Sequence, residues 1–376
     1  MPNNSTIMRI SRITVRQFRN YEEQKVSFDN NINVFIGNNG QGKTNILEAF
    51  YLAAIGRSHR TTNDQEMIHF DHNQATVEVD FERHHIAHHL LIKLERQGKK
   101  QFILNDQVVK TRELIGTLNV VLFSPEDLLL VKGAPVQRRR FMDMEFSQTS
   151  RIYYQELMKY NRIVVQRNNL LKKIKEKTEK IDQLDSWDDQ LAHTAASLVK
   201  RRQGALKKMF MLANLMHRKL TDSQETLTTA YYQPYFQEGI DNHYHILDPE
   251  WYKKKIINSR IIDINRGITT VGPHRDDLCL TVNGINLRTY GSQGQQRTGA
   301  LAFKLAELEY FKSETGEYPV LLLDDVLSEL DSIRREQLTL FIKDRIQTFI
   351  TATDHQLFQQ PKFASFYTVS KGIITG

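Results

Sequence analysis

The period of the hydrophobic pattern changes several times along the chain, and each change predicts an element. Residues 10–26 alternate well enough for a hairpin, with Ile10, Ile13, Val15 and Phe18 before a turn at 18–21 and Val26 and Phe28 after it. Residues 32–36 form a short apolar run, which predicts a buried strand, and 45–55 carry apolar residues at helical spacing up to Gly56, a helix-stop signal. Residues 75–94 and 102–108 read as strands, the latter with a turn at Asn105-Asp106, and 120–125 as a buried strand. A three-four repeat then runs through 153–174 and again through Leu191 to Met216, with a charged stretch at 176–189 between them, which predicts an antiparallel helical hairpin. Residues 221–265 show no regular period. Alternation returns through Leu280 and Val282 up to a turn at Asn283-Gly284. A helix is expected over 299–311, a buried strand over 320–323 and a last strand from Phe349 to a polar tip at Thr353, Asp354 and His355.

The chemistry clusters where strands end. Gly37, Asn38, Asn39, Gly40, Gln41, Gly42, Lys43 and Thr44 match the phosphate-loop pattern GxxxxGK[ST] without a mismatch, between an expected strand and an expected helix. Glycines let backbone N–H groups face phosphates, and the helix N-terminus adds positive potential. In that pattern Lys43 reaches the β- and γ-phosphates and Thr44 offers its hydroxyl to Mg2+. Arg19, in the first hairpin's turn, is either a nucleotide contact or a solvated surface charge. The strand at 320–323 ends in two acids. Asp324 there suits a magnesium ion, and Asp325 suits a base that orients or deprotonates an attacking water. Ser292, Gly294 and Gln295, in YGSQGQQRT, form a second set of donors suited to an oxyanion.

Composition narrows the class. The chain has 376 residues, which suits two domains or one domain with a large insertion. Forty per cent hydrophobic and 25% charged residues describe a soluble globular protein, and no apolar run is long enough to cross a bilayer. The N-terminus lacks the apolar core of a secretion signal, and a single cysteine, Cys279, rules out internal disulfides, so a cytoplasmic location is expected. A formal charge of +7 favours an anionic partner. The helical hairpin carries Arg167, Lys172, Lys173, Lys175, Lys177, Lys200, Arg201, Arg202, Lys207 and Lys208, read either as a nucleic-acid track or as solvated helix faces. His84, His85, His88 and His89 lack a completing ligand set and read as a solvated hairpin face. Tyr231, Tyr232, Tyr235 and Phe236 read as core packing rather than base-stacking groups.

The order of phosphate loop, helical insertion, SQGQQ and a strand ending in acids resembles the ATP-binding-cassette ATPase heads. The segments PEDLLLVKGAPVQRRRFMD, GPHRDD, YGSQGQQR and LLLDDVLSELD narrow the resemblance to the RecF family of bacterial repair proteins, whose heads are SMC-like. It implies an α/β head with a mixed β-sheet over 1–130 and 266–376, and an inserted helical lobe with a short antiparallel hairpin over 131–265. It further implies ATP and Mg2+ as ligands and an ATP-dependent homodimer on single- or double-stranded DNA. Slow DNA-stimulated hydrolysis would release that dimer, and RecR and RecO would act with it at gaps, with no membrane role. In such heads Ser292, Gly294 and Gln295 would act in trans on the partner copy's nucleotide, and Asp331 would line the dimer interface. Three positions depart from the wider cassette pattern. The second acid is Asp325 rather than glutamate, Thr353 replaces the usual switch histidine with His355 nearby, and no glutamine stands at 124–126. These departures touch hydrolysis more than binding. A nucleotide-gated scaffold with incidental hydrolysis is therefore the alternative. A transporter ATPase subunit would not need the basic insertion, and a lone cysteine cannot form a zinc hook.

Overall fold

The computed structural model describes residues 7–237, 247–354 and 364–376. The chain divides into two compact units, Met1–Asp127 with Glu307–Gly376, and Leu128–Ala306.

The first unit holds two sheets. One is antiparallel and runs Tyr21–Ser27, Arg9–Phe18, Gln74–Arg83, Ile86–Glu95, Gln101–Leu104 and Gln107–Val109. The other runs Ile373–Thr375, Ala364–Ser370, Ile32–Ile36, Thr348–Ala352, Val320–Asp324 and Val120–Phe123, and all but its first strand are parallel. Parallel strands covered on both faces read as unbroken apolar runs, and every residue of Ile32–Ile36 and of Thr348–Ala352 is buried. Helix Lys43–Ile55 is buried from Ile46 to its end and touches strands of both sheets, which is why it lacks a polar face.

The second unit holds helices Pro135–Thr149, Arg151–Lys175, Leu184–Leu220 and Pro249–Arg266 and a sheet ordered Ile285–Asn286, Asp277–Val282, Leu227–Tyr232. Residues 266–306 fall in this unit, whereas the resemblance implied a return to the head at 266. Pairing of Asp277–Val282 with Leu227–Tyr232 ties the two stretches together.

Helix Pro249–Arg266 occupies a stretch the pattern left irregular. Its signals are Asp248 as N-cap, Pro249 in the first turn and Gly267 in the left-handed conformation after the end. The helix expected from Gly299 begins earlier, at Gln293, because Ser292 caps it and the small polar residues form its first turn.

Two arginines assigned to exposed helix faces are buried instead. Arg167 donates to Asp188 at 2.6 Å, Asp263 at 2.7 Å and the Thr269 hydroxyl at 3.0 Å. Arg202 donates to Asp143 at 2.7 Å, the Pro273 carbonyl at 2.8 Å and the Tyr153 hydroxyl at 3.1 Å. The heptad reading failed here because a cation fits a core when carboxylates come with it. Arg138 is likewise buried, with a two-pronged bond to Asp277 at 2.6 and 2.9 Å. Tyr235 donates to buried Asp276 at 2.7 Å and Tyr231 bonds the same carboxylate, while Tyr232 is exposed. Burial pushes Asp276 up to about 6 and pushes His274, bonded to Tyr160, down to about 4.

Arg167→Ala is expected to cost about 3–5 kcal/mol, because it leaves Asp263 as a buried charge without its arginine and leaves Asp188 to Arg260 alone. Denaturant unfolding reads this as a lower midpoint, and an unchanged midpoint would contradict the assignment.

Candidate nucleotide site

The phosphate loop takes its shape from its neighbours. Gly42 adopts φ 119°, and a side chain there would collide with Asn20 and Tyr21. At Gly37 a Cβ would run into the carbonyl of Val369. Asn20 donates to the Gln41 carbonyl at 2.9 Å and Tyr21 to the Gly42 carbonyl at 2.8 Å. From the far side Lys371 N–H donates to Gln41 Oε1 at 2.6 Å and Gly372 N–H to the Gln41 carbonyl at 3.2 Å. The loop is therefore tethered to the first hairpin and to the turn after Ala364–Ser370.

Lys43 is buried, and its Nζ donates to the carbonyls of Gly37 at 2.7 Å and Asn38 at 3.0 Å. Burial pushes its ammonium below the usual range, while Asp325 and Asp324 pull it back up. Arg19 is taken up elsewhere. Its guanidinium grips the buried carboxylate of Glu48 at 2.8 and 2.7 Å, and Ser58 bonds the same group. Neither reading made for Arg19 from the sequence describes this: it braces the helix that follows the loop.

Strand register brings the acids to the loop. Asp324 lies beside Thr351, and Thr351 lies beside Phe35 on the strand that feeds the loop. Thr44 Oγ1 donates to Asp324 Oδ1 at 3.0 Å, and Thr351 Oγ1 donates to the same oxygen at 2.8 Å. The Asp325 N–H donates to Thr351 Oγ1 at 2.9 Å. One hydroxyl thus holds both acids. Thr351 was not singled out from the sequence, although a threonine inside an otherwise apolar strand is the signal that marks it. Asp325 has φ 57°, an uncommon conformation for aspartate, and its Oδ1 is buried with no partner among the described residues. A hydroxyl and a carboxylate at the tip of a parallel strand, beside a lysine on a phosphate loop, fit a hard cation with a polyphosphate.

Thr353 is exposed at the end of the strand between the loop strand and the acid strand, and His355 lies outside the described residues. Asp331 caps helix Ser332–Ile342 through the Arg334 N–H at 2.9 Å, and that bond holds its carboxyl below the usual range. At 124–126 the Ser124 N–H donates to Asp127 at 2.8 Å.

Ser292, Gly294 and Gln295 belong to the second unit. Ser292 and Gly294 are exposed at the head of helix Gln293–Thr315. The Ser292 N–H donates to Gln295 Oε1 at 3.0 Å, and the Gln295 N–H donates to Ser292 Oγ at 3.2 Å, a reciprocal cap. Among the described residues no group of three or more His, Cys, Asp or Glu side chains could hold a metal, and no helix is long and apolar enough to cross a membrane.

Comparison with known proteins gives the family. The model of the RecF/RecN/SMC N terminal domain matches residues 9–375. A DNA replication and repair protein RecF from Alkaliphilus oremlandii is 45% identical over 374 residues, covering 98% of this chain and 100% of that protein. A solved RecF with ATP, described as a recombination mediator protein of the RecFOR pathway, is 33% identical with a TM-score of 0.91, covering 100% of this chain and 99% of the other. The Smc head domain of Pyrococcus furiosus is 15% identical with a TM-score of 0.56, covering 98% and 96%, and shares the fold.

Proposed function

This chain belongs to the RecF family within the RecF/RecN/SMC N-terminal domain proteins, and from that premise we propose that it is an ATP-dependent DNA-binding protein of recombinational repair. The observation that carries the proposal is the hydrogen-bonded line from Thr44 through Asp324 and Thr351 to Asp325 beside Lys43. Gly37, Asn38, Asn39, Gly40, Gln41, Gly42 and Lys43 hold the triphosphate. Thr44 and Asp324 hold Mg2+, which when bound neutralises phosphate charge. Asp325 takes the proton of the attacking water on its carboxylate. Ser292, Gly294 and Gln295 cap the γ-phosphate of a partner copy, so ATP joins two copies and hydrolysis parts them. Association with DNA runs through exposed cations of the helical hairpin, namely Lys172, Lys173, Lys175, Lys177, Lys200 and Lys207. Action with RecO and RecR is part of this reading, supported by the RecFOR pathway named for the solved relatives.

The test is sedimentation with a non-hydrolysable ATP analogue, with ADP, and with gapped DNA present. A dimer is expected with the analogue and a monomer with ADP, and a monomer under every condition would overturn the proposal. DNA affinity should fall roughly 10³-fold between about 50 and 200 mM salt if about six phosphates are contacted. A flat salt response would return those lysines to the role of solvated helix faces.

A further inference from the structure

One carboxylate joins the end of the longest helix to the Ser292 turn. Helix Leu184–Leu220 closes where Thr221 bonds the His217 carbonyl through its N–H at 3.0 Å and its hydroxyl at 2.9 Å. Asp222 and Ser223 then take left-handed backbone and turn the chain. The strand Leu227–Tyr232 is pinned at its start, since the Thr226 N–H donates to Asn283 Oδ1 at 2.9 Å and the Asn283 N–H to the Thr226 carbonyl at 3.0 Å. Glu225 therefore stands on a short bridge fixed at both ends. Its Oε1 accepts from Gln295 Nε2 at 2.8 Å. Behind it, buried His217 brings Nε2 within 3.8 Å of the other carboxylate oxygen. Burial keeps that imidazole below its usual range, and neither ring nitrogen has a hydrogen-bond partner among the described residues.

The arrangement settles which way the Gln295 amide points. A carboxylate accepts and cannot donate, so it selects the NH2 end of the amide and leaves Oε1 for the Ser292 N–H. Ser292 Oγ in turn accepts from the Gln295 N–H, which leaves its own hydrogen unused within the turn. The turn thus presents an exposed hydroxyl that can still donate.

We propose that Glu225 is a positioning residue for this turn. It locks the amide of Gln295, whose Oε1 holds the Ser292 N–H, and so fixes the shape of the turn that carries the Ser292 hydroxyl, and it ties that turn to the end of the helix that carries Lys200 and Lys207. A shift of that helix end then alters how the turn meets a phosphate oxygen. The inference rests on the reading that Ser292 caps the nucleotide of a partner copy.

Glu225→Ala, Glu225→Gln and Ser292→Arg separate the two. In Glu225→Ala the monomer should bind ATP as wild type does, while ATP-driven dimerisation weakens about tenfold, the size of one lost charge-assisted bond. Glu225→Gln keeps an acceptor oxygen at the same reach and should dimerise within about twofold of wild type. Ser292→Arg should abolish the dimer. Loss in Ser292→Arg with wild-type dimerisation in Glu225→Ala would overturn the inference and leave the trans reading standing. Wild-type dimerisation in both would overturn both. Equal weakening of the Ala and Gln variants together with a lowered melting temperature would reduce Glu225 to a structural residue and also overturn the inference. Should Glu225→Ala not fold, Gln295→Glu sets two carboxylates against each other with Glu225 in place. A tenfold or greater loss is expected there, and an unweakened dimer would overturn the inference.

Discussion

Lys43→Met should abolish high-affinity ATP binding while leaving the fold intact. Methionine keeps the apolar stem that this buried position requires and removes only the ammonium. That ammonium closes the loop through the carbonyls of Gly37 and Asn38. Hydrogen bonds from a cation to phosphate contribute about 1.5–3 kcal/mol each, so losing two weakens binding by at least about a hundredfold. Titration with a fluorescent ATP analogue measures it. Wild-type affinity in the variant would remove Lys43 from the site.

Asp325→Asn should give the opposite phenotype, with binding kept and turnover lost. The substitution preserves shape and the Thr351 contact to the backbone N–H, which does not involve the side chain. It removes the basicity of the carboxylate. General-base catalysis contributes about 10²–10⁴-fold, so single-turnover hydrolysis should fall by that factor and the ATP-bound dimer should last correspondingly longer on DNA. Unchanged turnover would place the base elsewhere. Turnover of the unaltered protein measured with and without DNA separates the repair ATPase from the scaffold in which hydrolysis is incidental.

The head was legible because its elements follow simple periods. Residues 32–36 and 320–323 are apolar runs ending in chemistry, and a buried parallel strand has no other way to read. The phosphate loop was legible for a stricter reason, since its spacing leaves few alternatives. What stayed hidden depended on contacts distant in sequence. Thr351 joins acids 27 and 26 positions away, and although a hydroxyl inside the strand marks the position, nothing in residues 348–352 names those partners. Arg167 and Arg202 looked like surface cations because the carboxylates that neutralise them, Asp188, Asp263 and Asp143, lie on other elements. Helix Pro249–Arg266 was missed for want of weighing its caps above its weak period, with Asp248, Pro249 and Gly267 all in place.

The four tethers on Gln41 and Gly42 bear on how this protein tells one nucleotide from another. A seat held rigid by the first hairpin and by the Lys371 turn needs no ordering when its occupant arrives, so adenosine di- and triphosphate meet the same preformed contour. If ATP joins two copies as proposed, the γ-phosphate is read by Lys43 and the acids beside it in one copy and by the Ser292 turn of the other, so a pair would separate fuel from spent product more sharply than either copy alone.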